Sequence, residues 1–552
     1  VGQNDVVAYL LPTSHETLIT LMGGMTAGIV APINPTLEPS QISALLRETG
    51  AKVLVTMRAF PKTDVAQLAA QAVSKATNDK TIIEIDLLPH LSPPLSWIVP
   101  LIRPKNPIKH SAKIIEFNSA LETMNSDGLD FDEGQDDHYC AYFHTGGTTG
   151  MPKIAQHRHS GVLYNGWLGD AILYTEKDVL LCPLPLFHVF AAYPIWAGCL
   201  VSGAHMVLPT PAGYRGDGVF DDFWKLIERW KATFMVTVPT AASQLLQRPV
   251  NADISTLNAA FCGSAPMPIE LFKRFQEVTG VEIIEGYGLT EATCLVSCNP
   301  KDGVRKIGSI GIPLPYTKVR ILECKENGEI IREMNSDEVG EICISNAGIN
   351  VGETYTEKAK NKGLYADNAF FRTGDLGRID PDGYLWITGR AKDLIIRGGH
   401  NIDPALIEEA LAGHPSVAMV GAIGQPDEKA GEIPCAYVEL NADASVSIEE
   451  LIEFANSHVP ERAARPKYIE IIHELPKTAV GKIFKPDLRK MAIKRVYDEK
   501  LAKEGLNLTV NEVVEDKKRG LVAYLHKSDS EISDEVVIKA LGDFIRPWEW
   551  SA

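Results

Sequence analysis

The sequence predicts an α/β protein in which parallel-type α/β subdomains lead into a β-rich subdomain and then a small α+β C-terminal domain. Three observations point to this. Apolar strand-like runs alternate with helix-length segments from Val6 to Ile284, short strands and turns replace the helices beyond Gly340, and the chain changes character at the charged stretch Arg390-Ala391-Lys392-Asp393.

The first α/β alternation is an apolar run Val6 to Leu11, a helix-like stretch His15 to Ala27, a Pro-rich turn, a second helix Pro39 to Glu48 and a strand Lys52 to Thr56. It resumes at Phe234 to Val238, Ala259 to Cys262 and Val281 to Ile284, each followed by a turn with Gly or Pro, and ligands bind at such strand ends. Strands Glu341 to Ser345 and Gly383 to Ile387 belong to the β-rich part, and helices Pro404 to Ala412 and Ile448 to Ser457 to the last domain. The expected division is residues 1–389, a hinge at 390–392, and residues 393–552. A tail from about Gly505, with a strand Gly520 to Leu525 and a helix Asp534 to Ile545, reads as an addition to the second domain. The segment Leu91 to Ile102 is apolar, broken by Pro93, Pro94 and Pro100, and too short to span a bilayer. It reads first as a buried loop, and second as an apolar surface for a membrane or a lipid. The chain opens on Val1 without Met and runs straight into a strand, so the native N-terminus is expected upstream.

Lys and Arg number 54 against 71 Asp and Glu, a formal charge of −17, which argues against a general nucleic-acid binder or a polybasic membrane clamp. An anionic substrate must then be held by local groups. Nine cysteines without a C-x-x-C pair read as buried thiols in a reducing compartment, not as a disulfide framework or zinc site. With no long apolar run and no signal-peptide pattern, a cytoplasmic location is expected; a peripheral contact with the inner face of a membrane and a homodimer stay open.

The strongest local signal is Tyr142-Phe143-His144-Thr145-Gly146-Gly147-Thr148-Thr149-Gly150-Met151-Pro152-Lys153, a strand leading into a Gly- and Thr-rich loop that closes on a lysine. Glycines let backbone N–H groups converge on phosphate oxygens, and hydroxyls with an ammonium add donors. Because Met151 and Pro152 separate Gly150 from Lys153, this is not a Walker A loop. Further along stand Pro185-Leu186-Phe187-His188, Gly263-Ser264-Ala265-Pro266, Gly286-Tyr287-Gly288-Leu289-Thr290-Glu291, Gly308 to Pro313, Thr373-Gly374-Asp375, Gly389-Arg390 and Pro476-Lys477-Thr478-Ala479-Val480-Gly481-Lys482.

In content and order these motifs resemble the adenylate-forming superfamily of acyl-CoA synthetases, peptide-synthetase adenylation domains and luciferases, over nearly the whole chain to about Lys490. The resemblance implies an ATP-dependent enzyme that joins a carboxylic acid to AMP and then to coenzyme A. It implies that Thr145, Gly146, Gly147, Thr148, Thr149, Gly150 and Lys153 hold phosphates, and that Gly263, Ser264, Ala265 and Pro266 line the adenine site. Tyr287, between Gly286 and Gly288, would stack on the base, Thr290 would meet the α-phosphate, Glu291 would hold Mg²⁺, and Asp375 with Arg390 would take the ribose. Lys482 would be the catalytic lysine, Lys392 the hinge of a mobile C-terminal domain, and Gly399 part of the pantetheine tunnel. His188 and the apolar run Val189 to Leu200 resemble the acyl pocket of the fatty acyl-CoA synthetases. No Asp stands there to pair a substrate ammonium, so a free α-amino acid is disfavoured. Gly146 replaces the usual Ser of the phosphate loop, and His400 and Gly352-Glu353-Thr354-Tyr355 depart from common wording, which leaves the coenzyme A contacts open. The expected function is a medium- to long-chain fatty acid–CoA ligase. Loading of a separate carrier protein, or a non-catalytic nucleotide-binding role, are the alternatives.

Overall fold

The computed structural model describes the chain except residues 77–80, 106–108, 126, 130, 132–135, 146–151, 517–518, 528–531 and 552. A seven-stranded sheet opens the chain, in the order Lys113–Glu116, Thr81–Ile85, Val53–Met57, Val6–Leu10, Ile29–Pro32, Tyr139–His144, Ile154–Arg158. All its pairs are parallel except the last. Val6–Leu10 and Ile29–Pro32 are buried at every residue, as strands covered on both faces must be, which is why they read as unbroken apolar runs. Helices His15–Ala27 and Pro39–Glu48 fall where the sequence predicts them. The first is capped by the Ser14 hydroxyl, and the second starts at Pro39, where the missing N–H costs no helical bond.

A second seven-stranded sheet runs Ile312–Pro313, Leu295–Cys298, Glu282–Gly288, Ala259–Cys262, Phe234–Thr237, Val179–Leu181, His205–Val207. The last five are parallel, and Glu282–Gly288 turns to antiparallel pairing with Leu295–Cys298. Helix Val219–Trp230 packs here by Val219, Phe223, Trp224 and Ile227, the spacing of one helical face. The β-rich part is a six-stranded sheet spanning Lys318 to Arg390.

Beyond it, Val417–Asp427 and Gly431–Leu440 form a long antiparallel hairpin in a five-stranded sheet packed by Ala405–Ala412 and Ile448–His458. The 19-residue helix Lys485–Lys503, which the sequence reading passed over, carries the chain to the tail. There a strand Leu508–Asp516 pairs with Gly520–Lys527, and Trp548–Trp550 lies parallel to the latter. Helix Asp534–Leu541, shorter than predicted, closes a small core with Tyr497, Leu501, Val510 and Leu525.

Two expectations need correction. Leu91 to Ile102 is not a buried loop: Leu95–Ile102 is a helix that buries only Val99 and leaves Trp97 69% and Leu101 85% exposed. The prolines mislead because Pro94 stands just before the helix, where no helical N–H is required, and Pro100 removes a single backbone bond from a short element. Eight of the nine cysteines are buried thiols as expected, but Cys324 is only half-buried, at the end of a strand of the β-rich sheet.

Candidate active site

The strands Tyr139–His144 and Ile154–Arg158 form a hairpin around the Gly- and Thr-rich loop, with His144 opposite Ile154. Thr145 N–H donates to the Lys153 carbonyl at 2.7 Å and closes the neck. Gly146, Gly147, Thr148, Thr149 and Gly150 lie outside the described residues. The Lys153 ammonium stands 4.6 Å from the centre of the Tyr355 ring, a cation–π contact, and the Tyr355 hydroxyl donates to Glu291 Oε1 at 2.6 Å.

The segment Gly286 to Glu291 leaves the second sheet through a register shift after Tyr287. Glycine is required at 288, since a Cβ there would come within 2.1 Å of the Cys294 carbonyl oxygen. Tyr287 is buried with Ala292, Val296 and Ile310, and its hydroxyl donates to Asp375 Oδ2 at 2.5 Å. Arg390 Nε donates to the other Asp375 oxygen at 2.7 Å. One carboxylate thus ties the Tyr-Gly segment to two strands of the β-rich sheet. The Thr290 carbonyl accepts from His157 Nε2 at 2.7 Å, while His157 Nδ1 faces the Tyr193 hydroxyl at 3.0 Å. A carbonyl only accepts, so Nε2 carries the proton, and burial holds this ring neutral with its pKa down at about 4.

Ser264 adopts φ +72°, a left-handed conformation uncommon outside glycine, in the Gly263-Ser264-Ala265-Pro266 loop. Behind it Glu285 Oε1 accepts from Met267 N–H at 3.1 Å, while Oε2 is buried without a partner. Burial pushes this carboxyl up to about 8, against the pull of the Met267 bond, so it is largely protonated at neutral pH.

Lys482 comes in on the C-terminal part. Its loop is stitched by Thr478 N–H to the Lys482 carbonyl at 2.7 Å and Lys482 N–H to the Thr478 hydroxyl at 3.1 Å. Thr240 Oγ1 fixes the loop to the N-terminal part by donating to the Gly481 carbonyl at 2.9 Å. Burial and the nearby Arg390 lower the Lys482 ammonium to about 8, while Asp375 and Glu291 pull the other way. These residues, distant in sequence, therefore share one electrostatic neighbourhood. His188 joins it: burial, Lys482 and His144 push its ring down to about 3, and its Nδ1 accepts from Phe190 N–H at 3.3 Å. His188 is accordingly a neutral imidazole. The same loop, Lys477 to Gly481, walls a 1390 Å³ cleft together with Leu184, Tyr214 and Gln244.

Lys392 is exposed just after Arg390, and Gly399 takes φ +84° in the turn between Ile395–Arg397 and His400–Ile402. His400 is exposed and hydrogen-bonded to Glu461. These positions are remote in contact from the carboxylates: no hydrogen bond or ion pair among the described residues joins Gly399 or His400 to them.

Glu291 has one oxygen on Tyr355 and a second left for another partner, which fits Mg²⁺, a cation that keeps most of its waters and takes one or two carboxylates beside substrate phosphates. Among the described residues the one compact group of three metal-donor side chains is Cys324, Glu341 and Cys343. Its carboxylate is already held by Arg372 and Gly374 N–H, and burial raises both thiols, so it is a packing cluster.

The sequence reading missed Tyr355, His157, Glu285 and His144. Tyr355 stood in a noted departure and His144 in the loop motif, both without a role, and His157 and Glu285 carry no motif; only the folded register brings them to the site.

A nucleotide-binding α/β core, a β-rich part that presents Asp375 and Arg390, and a lysine delivered from a further unit define the adenylate-forming class of enzyme. A family profile described as AMP-binding enzyme matches residues 1–356, and one described as AMP-binding enzyme C-terminal domain matches residues 406–482. The chain belongs to this AMP-binding enzyme family. It is 37% identical to the marinolic acid–CoA ligase of Pseudoalteromonas sp. (strain SANK 73390), over 98% of this chain and 80% of that one. It is 32% identical to the long-chain-fatty-acid–CoA ligase of Bacillus subtilis (strain 168), over 88% of this chain and 85% of that one. Among solved structures, ATP-bound MatB from Rhodopseudomonas palustris superposes with TM-score 0.73 at 25% identity, covering 89% of each chain. The anthranilate CoA ligase AuaEII in complex with anthranoyl-AMP shares the fold, with TM-score 0.74 at 24% identity over 90% of this chain and 89% of that one.

Proposed function

We propose that this chain is an AMP-forming acid–thiol ligase that activates a medium- to long-chain fatty acid with ATP and transfers it to coenzyme A. The observation that carries the proposal is the position of Lys482, brought from the C-terminal part into the field of Asp375, Arg390 and Glu291. In the first step a carboxylate oxygen attacks the α-phosphorus, the bond to the bridging oxygen breaks, and pyrophosphate leaves with that electron pair. The acid is already ionised at neutral pH, so no base is needed. What the step needs is positive charge where the carboxylate and phosphate meet, which the Lys482 ammonium supplies. Thr290, held by His157, is poised for the α-phosphate; Lys153 and the loop behind it take the outer phosphates; Asp375 and Arg390 take the ribose. Glu291 would hold Mg²⁺, which supplies charge neutralisation of the phosphates when bound. In the second step the thiol sulfur bonds to the acyl carbon, the carbon–oxygen bond to AMP breaks, and the thiol proton leaves to solvent.

An apolar acid is supported by the buried wall around His188: Phe187, Val189 and the run Ala191–Ala197, all buried. His188, neutral, sits among them as a hydrogen-bonding group and needs no proton transfer. The names of two relatives, a marinolic acid–CoA ligase and a long-chain-fatty-acid–CoA ligase, lean the same way.

The test is AMP release from ATP and Mg²⁺ with acids from acetate to long-chain fatty acids, with and without coenzyme A, beside Lys482→Ala. AMP that requires both coenzyme A and an apolar acid, with acyl-adenylate formation lowered roughly 10² to 10³-fold in the variant, is expected. Turnover indifferent to coenzyme A and to Lys482 would overturn the proposal in favour of carrier loading or a non-catalytic role.

A further inference from the structure

The candidate adenylating site takes no residue beyond Lys482, yet the chain continues through the helix Lys485–Lys503 into the small tail sheet Leu508–Asp516, Gly520–Lys527 and Trp548–Trp550. The tail comes back onto the C-terminal unit at the hairpin Ile395–Arg397 and His400–Ile402. Within the five-stranded sheet this hairpin is joined to Gly431–Leu440 by a single register pair, Arg397 with Gly431. Beside that pair Ile396 N–H donates to the Glu432 side chain, Oε2, at 3.2 Å, so a carboxylate takes up a main-chain donor of the hairpin. The other Glu432 oxygen accepts from Arg546 Nη2 of the tail at 2.8 Å. One carboxylate therefore links the two. Gly424, on the neighbouring strand Val417–Asp427, leaves it room: a Cβ there would come within 2.5 Å of Glu432 Oε2. The tail meets the hairpin at a second point, since a Cβ on Gly431 would lie 3.8 Å from both Ile545 Cγ2 and the Ile396 carbonyl oxygen. The Arg546 and Glu432 side chains are 30% and 13% exposed, so their bond is screened less than a surface ion pair. At the hairpin's turn, Gly398 and Gly399 take φ +58° and +84° with nothing within 4 Å of where a Cβ would stand. This bare turn is held through its flanking residues: Arg397 donates to the Ala463 carbonyl at 2.7 Å, His400 bonds Glu461, and Ile396 bonds Glu432.

We propose that the tail serves the transfer step: Arg546, acting through Glu432, is a positioning residue that holds the Ile395–Ile402 hairpin in the form in which its Gly398-Gly399 turn admits the thiol arm of coenzyme A. This role rests on the acid–thiol ligase reading and adds to it a task for the tail. Adenylation is independent of the hairpin, because Lys482 enters the field of Asp375 and Glu291 from a separate loop. The tail thus bears on one half-reaction. Loosening the hairpin lowers the share of molecules ready for the thiol, which weakens the apparent affinity for coenzyme A and leaves the rate at saturation.

The full chain would be compared with Arg546→Met and Arg546→Lys in single-turnover assays of acyl-adenylate formation and of acyl transfer from the isolated acyl-adenylate to coenzyme A, and by amide hydrogen exchange. Arg546→Met should leave adenylation unchanged and raise the half-saturating coenzyme A concentration of the transfer step about tenfold, the factor that one lost bond to a charged group supplies. The transfer rate at saturating coenzyme A should stay within about twofold of the parent. Arg546→Lys should restore most of the affinity, because an ammonium still donates to Glu432. Exchange of the amides from Ile396 to Gly399 should quicken about tenfold in Arg546→Met while that of Val417–Asp427 holds, so a loosened hairpin is told from a loosened unit. An unchanged half-saturating coenzyme A concentration in Arg546→Met, or adenylation and transfer slowed alike, would overturn the proposal and leave the ligase reading standing. A parent that forms acyl-adenylate and transfers nothing to coenzyme A would remove that reading and the tail's role together.

Discussion

Glu285 is the residue whose protonation bears most directly on stability. Its folded pKa of about 8 lies above the ordinary 4.5, so between those values the folded chain keeps a proton that the unfolded chain releases. Stability contributed by this group is therefore full below about pH 4.5 and falls as pH rises toward 8. Glu285→Gln preserves an oxygen for the Met267 N–H and has no charge to bury. The variant should gain on the order of 4 kcal/mol over the parent at pH 8 and less than about 1 kcal/mol at pH 5, measured by urea unfolding at both. A difference that ignores pH would show that Glu285 carries no such proton. Lys482 gives a kinetic counterpart, with its charge lost as pH rises through about 8. The kcat/KM for acyl-adenylate formation should fall above that pH, and Lys482→Arg should move the fall out of range, because a guanidinium stays charged. At this scale the sequence exposes what is contiguous. Thr290 and Glu291 sit in one motif, but the bond that orients Glu291 comes from Tyr355, 64 residues away. No local pattern encodes such a contact.

Among the elements, legibility follows the strength of the apolar period. His15–Ala27, Pro39–Glu48 and Ala259–Cys262 lie where they read, because a helical face or an unbroken buried run leaves little alternative. The helix Lys485–Lys503 escaped notice because its many charges obscure the apolar face that Leu488, Ala492, Ile493, Tyr497 and Leu501 bury. Tyr497 is where that helix holds the tail: it is fully buried, its ring lies 5.1 Å from that of Phe544, and its hydroxyl donates to the Arg546 carbonyl at 2.6 Å. Tyr497→Ala should cost about 3 to 5 kcal/mol of the tail's local stability, by the loss of a large buried aromatic. The expected readout is faster amide exchange and proteolysis across Leu508–Lys527, while acyl-adenylate formation is retained. Loss of adenylation in step with tail protection would show that the tail supports the site itself.

For the molecule as a whole, the proposed function asks one C-terminal unit to serve two reactions. It meets the N-terminal part through polar contacts, Thr240 to the Gly481 carbonyl, Ser243 to the Ala418 carbonyl at 3.1 Å and Glu409 Oε1 accepting from Ile269 N–H at 2.7 Å, with Ala479 and Val480 packed on the first core. An interface of this kind can be remade, whereas the interior of each sheet cannot. In this arrangement Lys482 feels the Asp375 and Glu291 carboxylates and Gly399 does not contact them, so under the proposed function a thiol route past Gly399 would require the unit to turn. We propose Lys392 as the position where backbone rotation would turn it, between Arg390, tied to Asp375, and Asp393, which pairs with Arg489 of the following unit at 2.9 Å. Lys392→Pro fixes φ near −65° and restricts Ala391 as well. Acyl-adenylate formation, which uses the present arrangement, should survive in this variant. Transfer of the isolated acyl-adenylate to coenzyme A should fall on the order of 10²-fold, because the acceptor can no longer be placed against the carbonyl. Single-turnover assays of the two half-reactions separate the outcomes, and an equal fall in both would remove Lys392 as the hinge.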